Sequence, residues 1–159
     1  MFLAASKLPA RTLAGIAIAS VAAVAFALIA QHGFGVKPCS WCVLQRGIFL
    51  VIAAVAALGW LLKLHKPTLA LVIAIALAGI AAAVFQHQVA ANLESCAMTF
   101  ADRLLTALDL ETRLPFVFMV TASCAEAAAY RLLGLGYEIW SGLLFAAMAV
   151  ASWVALRTR

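Results

Sequence analysis

Apolar residues run along this chain in four long blocks, separated by short polar breaks and one long polar stretch. Thr12 to Val36, Gly47 to Leu62, Pro67 to Leu93 and Ile139 to Leu156 contain no Asp, Glu, Lys or Arg. A helix needs roughly 20 predominantly apolar residues to cross a bilayer. All four blocks approach or exceed that length, the second by beginning near Val43 and taking in Arg46. The pattern predicts an all-α membrane protein, a four-transmembrane-helix bundle in one integral membrane domain over residues 1–159. The helices are expected at about 12–31, 43–62, 68–89 and 137–156, with loops at about 32–42 and 90–136.

The breaks carry their own signals. Gln31-His32-Gly33-Phe34-Gly35 closes the first block, where the glycines break the helix, and Pro38 sets an extended entry to the next. Lys63-Leu64-His65-Lys66-Pro67 reads as a tight turn, which makes the second and third helices antiparallel neighbours. Ala78, Gly79, Ala81, Ala82 and Ala83 give the third helix a face for close packing. In the long loop, Phe100, Leu104, Leu105 and Leu108 recur at helical spacing opposite Asp102, Asp109 and Glu111. That predicts a short amphipathic helix, on the membrane surface or packed over the bundle, ended by Pro115. The apolar run Phe116 to Val120 is too short to span.

Composition removes the soluble alternative. Hydrophobic residues make up 67% of the chain and charged residues 11%, against about 25% charged in soluble domains. The net charge of +5 does not indicate nucleic acid, because Lys7, Arg11, Lys63, Lys66, Arg157 and Arg159 flank the apolar blocks. All six acids lie from Glu94 to Glu138, between the third and fourth blocks. By the positive-inside tendency, both termini and the Lys63–Lys66 turn are expected to be cytoplasmic, and the two cysteine-bearing loops exported. A cleaved signal peptide is disfavoured, since the apolar part runs past Ala30, beyond the ~7–15 residues of a signal core. Every cysteine is then expected in an oxidising compartment, where disulfides persist.

Those cysteines carry the chemistry. Cys39 and Cys42 form a C-x-x-C pair at the head of the second block, and Cys96 and Cys124 lie in the long loop. A C-x-x-C pair can be redox-active, bind metal or form an inert disulfide; a c-type haem site is excluded because Val43 follows Cys42. A thiolate is favoured near a helix N-terminus and near Arg or Lys. Cys42 is expected in the first turn, with Arg46 four residues on along the same face, so redox chemistry is favoured. Arg46 is a charge at the rim of a span, costly unless it has a task; a guanidinium there can stabilise a thiolate and a reduced quinone oxygen. Gln31 and His32 end the first span and His87 the third, at the depth of Cys42. Imidazoles at that rim can donate hydrogen bonds or protons to a quinone carbonyl. Cys96 and Cys124 form either a static staple or a shuttle pair that exchanges with Cys39–Cys42.

Lys37-Pro38-Cys39-Ser40-Trp41-Cys42 with Gln45-Arg46, preceded by Gln31-His32, resembles the bacterial disulfide bond formation protein B family. So do His87 ahead of Cys96, and Ser123-Cys124-Ala125-Glu126 followed by Leu133-Gly134-Leu135. The resemblance covers Thr12 to Trp153. It implies a quinone reductase of the bacterial cytoplasmic (inner) membrane that reoxidises a periplasmic thioredoxin-fold dithiol oxidase and draws on the membrane quinone pool, ubiquinone or menaquinone. Carried over by position, Cys96 takes the mixed disulfide with the partner and Cys124 is its loop companion. Cys39 exchanges with the loop pair, Cys42 faces quinone, and Arg46 supports quinone binding with His87 and His32 nearby. Two other readings stay open. One is a non-catalytic membrane module with structural disulfides or a bound metal; the other is a vitamin K epoxide reductase-like enzyme, in which the membrane C-x-x-C lies near the end of a late span.

Overall fold

The computed structural model describes residues 7–93, 95 and 98–157; Glu94 and Cys96 lie outside the described residues. Four helices are long and apolar enough to cross a membrane: α1 (Leu8–Phe34), α2 (Ser40–Leu61), α3 (His65–Gln88) and, after the long loop, α8 (Tyr137–Arg157). The chain is an all-α, four-helix membrane protein.

Local chemistry sets the helix ends. Pro9 sits in the first turn of α1, where a missing N–H costs nothing. The glycines at the other end act differently from one another. Gly33 stays helical, and Gly35 caps α1 at φ 68°, its N–H bonded to the carbonyl of Ala30. That left-handed position suits glycine, so the helix runs to Phe34 rather than stopping at Gln31. Cys39 is the extended N-cap residue of α2, which puts Cys42 in the first turn.

Within the bundle α1 lies along α2, α2 against α3, and α3 along α8, while α1 and α8 also touch. The core contains Leu13, Ile16, Phe49, Ile52, Leu69, Val72, Phe145 and Met148. Phe49 and Phe145 stack with ring centres 4.1 Å apart, joining α2 to α8 across the middle. The outer faces are apolar too: Ile18, Val21, Ile29, Leu77 and Val150 are all exposed. Such a surface suits lipid. Close approach depends on Gly79, where a Cβ would fall 2.8 Å from three atoms of the Phe145 ring. Gly79→Leu is therefore expected to lower stability by roughly 1–3 kcal/mol, the usual cost of overpacking. The control is Gly15→Ala, which meets nothing within 4 Å. Thermal unfolding in detergent would show a lowered midpoint for the first only.

The long loop folds over the end of the bundle that carries Cys39. It contains a 3₁₀ turn (Ala90–Asn92), α4 (Phe100–Ala107), α5 (Leu110–Arg113), α6 (Pro115–Phe118), α7 (Cys124–Ala128) and a two-stranded hairpin, β1 (Arg131–Leu132) with β2 (Leu135–Gly136). The amphipathic helix is α4. It seats Ala101 and Leu105 in the interior, Leu105 beside Val43 and Phe118, while Phe100 and Leu108 remain exposed. Pro115 does not terminate it: α4 stops at Ala107, the chain turns at Asp109 (φ 51°), and Pro115 opens α6. Proline is well placed there, since the first turn of a helix tolerates its missing N–H.

Candidate functional site

The loop and the α1–α2 linker are stitched together at Pro38. Its carbonyl accepts hydrogen bonds from the N–H groups of Thr121 (3.0 Å) and Ala122 (3.2 Å), which brings the segment before Cys124 against Cys39. Cys39 and Cys124 are both buried in one cluster, with Trp41, Ala82, Ala90, Ala101 and Ala127. Ser123 caps α7 by accepting from the N–H of Glu126, and Glu126 accepts from Lys37 Nζ at 3.0 Å. That contact raises the Lys37 pKa above its ordinary value, first through the hydrogen bond and then through the carboxylate charge. Cys124 is disulfide-bonded.

Cys39 and Cys42 are free thiols with their sulfurs 3.2 Å apart. The hydrogen bond to Cys42, followed by burial, holds the Cys39 thiol well above the ordinary thiol range. A residue not singled out from sequence completes the pair. Gln86, buried near the end of α3, directs its Nε2 at Cys42 Sγ (3.1 Å) and more distantly at Cys39 Sγ (3.7 Å). Gln45 fixes that direction, because its own Nε2 donates to Gln86 Oε1 at 2.7 Å. With the oxygen occupied, the amide must present its N–H₂ to sulfur. A hydrogen bond to a charged group is worth about 1.5–3 kcal/mol. Gln86→Leu is thus expected to slow alkylation of Cys42 about tenfold, measured on reduced protein with a small iodoacetyl reagent, since the thiolate is the reacting form.

Arg46 is buried one turn further into α2. Its Nη1 donates to Gln31 Oε1 and to the carbonyl of Val117 (3.0 Å), and its Nη2 lies 3.5 Å from the carbonyl of Ala27. The guanidinium therefore ties α1 and the loop to α2. Gln31 and His32, neighbours in sequence, face different ways. Gln31 meets Arg46, whereas His32 lies outside, its ring stacked on Phe116 at 4.3 Å and its Nε2 3.0 Å from the Phe116 carbonyl. His87 meets Glu138, with Nδ1 3.0 Å from Glu138 Oε1.

Beside Cys42 lies a cavity of about 460 Å³ between α1, α2 and α8. Small-molecule sites span about 300–1,000 Å³ and are mostly apolar, with a few placed polar groups. Here Phe26, Phe49, Trp140 and Leu144 supply apolar wall, and Cys42, Gln45 and Arg46 the polar end. Phe26 and Leu143, both exposed on the lipid-facing surface, stand at its edge. A smaller recess continues from the polar end past Lys37, Pro38, Tyr137 and Glu138. The arrangement joins a thiol pair, a buried cation and an apolar chamber reachable from lipid.

The chain matches known proteins along nearly its whole length. The family model described as "Disulfide bond formation protein DsbB" covers residues 9–155. A disulfide bond formation protein B of Polaromonas naphthalenivorans is 30% identical over 158 residues, covering 96% of this chain and 93% of that protein. A disulfide bond formation protein B 2 of Burkholderia lata is 36% identical over 146 residues, 88% of this chain and 84% of the relative. A third relative, from Polaromonas sp. strain JS666, is 29% identical over 155 residues, 94% of this chain and 91% of its own length. With its four membrane helices and its thiol pair at the head of α2, the chain belongs to the DsbB family of membrane disulfide bond formation proteins.

Proposed function

We propose that the chain is a thiol:quinone oxidoreductase of the bacterial inner membrane, which reoxidises a periplasmic thioredoxin-fold dithiol oxidase and thereby sustains disulfide formation. The observation that carries this reading is the 460 Å³ apolar cavity with Cys42 and Arg46 on its wall. A quinone ring suits it: apolar faces meet Phe49 and Trp140, and a carbonyl oxygen has Arg46 as its cationic partner. When bound there, a quinone supplies a two-electron, two-proton acceptor and leaves as quinol.

The protein's own residues do the rest by thiol–disulfide exchange. A partner thiolate attacks a Cys96–Cys124 disulfide at Cys96 and forms a mixed disulfide, and the partner's second thiol displaces Cys96. The partner leaves oxidised, and Cys96 and Cys124 are left as thiols. These reduce a Cys39–Cys42 disulfide by the same chemistry, with Cys39 taking the exchange and Cys42 released as the thiolate at the cavity. Gln86 donates to that sulfur, and Arg46 lies along the same helix face. Loss of two electrons and two protons from the pair restores the Cys39–Cys42 disulfide. The burial of Cys39 and Cys124 in one cluster supports the handover between pairs.

The driving force is consistent. A partner of the strongly oxidising kind has a potential near about −120 mV, so its reoxidation needs an acceptor of higher potential, and each 30 mV is about 1.4 kcal/mol. A membrane quinone meets that requirement and glutathione does not. The test is anaerobic mixing of oxidised protein with reduced thioredoxin-fold partner and quinone. Loss of quinone absorbance in step with partner oxidation is expected; partner oxidation with unchanged quinone, or neither, would refute the reading.

A further inference from the structure

We propose that Glu138 and His87 form a proton relay from the surface of the loop end to the cavity beside Cys42, an inference that rests on the thiol:quinone reading above. Glu138 lies in the first turn of α8 and is 7% exposed, an unusual place for a carboxylate at a membrane rim. It lines the recess shared with Cys42 and Arg46. It also lines a separate recess with His87 and Gln88 on the α3–α8 side. Glu138 thus borders both spaces. Its Oε1 is 3.0 Å from His87 Nδ1, and the imidazole, 57% exposed, reaches the surface. Room for the carboxylate is specific: a Cβ on Gly136 would come within 2.6 Å of its carboxyl carbon and nearer still to both oxygens.

The reaction gives such a relay a task. Oxidation of a Cys39–Cys42 dithiol releases two electrons and two protons, and formation of quinol takes up two of each. When the pair reacts as Cys39 thiol and Cys42 thiolate, the sulfurs bring two electrons and one proton. The second proton, lost to water when the thiolate formed, must be returned to the quinone. Histidine changes charge in the neutral range and can carry it. A protonated imidazole passes its Nδ1 hydrogen to Glu138, the carboxyl releases it into the recess, and water reprotonates the exposed ring. The other titratable or charged groups around that recess are Lys37, Cys42, Arg46 and Tyr137. Lys37 is engaged by Glu126, and Arg46 donates to Gln31 and the Val117 carbonyl.

The test uses the full chain in lipid discs, as wild type, Glu138→Gln, Glu138→Asp and His87→Gln. Glu138→Gln is expected to slow single-turnover quinone reduction about 100-fold, the low end of general acid–base contributions. Thiol exchange with the partner and quinone affinity should stay within about twofold of wild type. Small permeant acids should restore part of the rate, and Glu138→Asp should retain more of it than Glu138→Gln. Infrared difference spectra of reduced against oxidised protein, taken without quinone, should show a carboxyl band that Glu138→Gln removes. Wild-type rates in Glu138→Gln, while wild-type protein reduces quinone, would overturn the relay and leave the oxidoreductase reading intact. Loss of folding or quinone affinity with no acid rescue, shared by His87→Gln, would overturn it in favour of a strut between α3 and α8. A wild-type protein that passes no electrons to quinone would overturn the reading and the relay together.

Discussion

Cys42→Ser is expected to oxidise one equivalent of the reduced partner and then stop. Cys96 and Cys124 are untouched in that variant, so a loop disulfide is still available for the first exchange. The electrons delivered to the loop then have no route onward, because a hydroxyl does not replace a thiolate in disulfide chemistry. Cys96→Ser is expected to fail earlier, with no equivalent oxidised and quinone affinity unchanged. Counting oxidised partner per protein by thiol alkylation separates the two: about one for Cys42→Ser, none for Cys96→Ser, and many for wild type. Repeated turnover by Cys42→Ser would remove Cys42 from the electron path.

Arg46→Ala is the second large effect, and it should fall on one substrate only. The guanidinium is buried beside the cavity and reaches Gln31 and the Val117 carbonyl. Truncation would remove the proposed cationic partner of a quinone oxygen and leave two part-buried acceptors short of a donor. Hydrogen bonds to charged groups are worth about 1.5–3 kcal/mol, so apparent quinone affinity should fall roughly 10- to 150-fold. The Michaelis constant for the partner should change by less than about twofold, since in the proposed cycle the partner exchanges with the loop cysteines. Arg46→Lys should lie between the two, because an ammonium keeps the charge and loses the planar fork. Equal weakening toward quinone and partner would show that Arg46 serves the fold rather than the acceptor.

Much of this arrangement is legible from residue pattern alone. The four spans follow from uninterrupted apolar blocks, but the second begins at Ser40 rather than near Val43, and that earlier start places Cys42 in its first turn. The amphipathic loop helix was visible in its spacing, though its ends were not. Pro115 has two opposite uses, as terminator and as first-turn residue, and only the turn at Asp109 selects the second. Gln31 and His32 looked equivalent as rim residues, yet neighbours on a helix point about 100° apart, so one meets Arg46 and the other meets Phe116.

Gln86 is harder to single out. It continues the inward stripe Gly79, Ala82, Ala83 at helical spacing, and a polar residue on such a stripe in a membrane helix is a functional signal by default. Glu138 left a weaker trace. Among the acids of the long loop nothing marked it as buried, and its pairing with His87 depends on how α8 lies along α3. Contacts between helices distant in sequence are where pattern reading ends, because periodicity assigns a face but not its partner.

The most direct measurement of the central claim is photolabelling with an azido-quinone in native membranes, mapped by mass spectrometry. Adducts are expected on Ala23–Ala27 of α1, Cys42–Phe49 of α2 and Tyr137–Ala147 of α8, with competition by unlabelled quinone. Adducts confined to α4, or to the end of the bundle around Lys63, would contradict a quinone site beside Cys42.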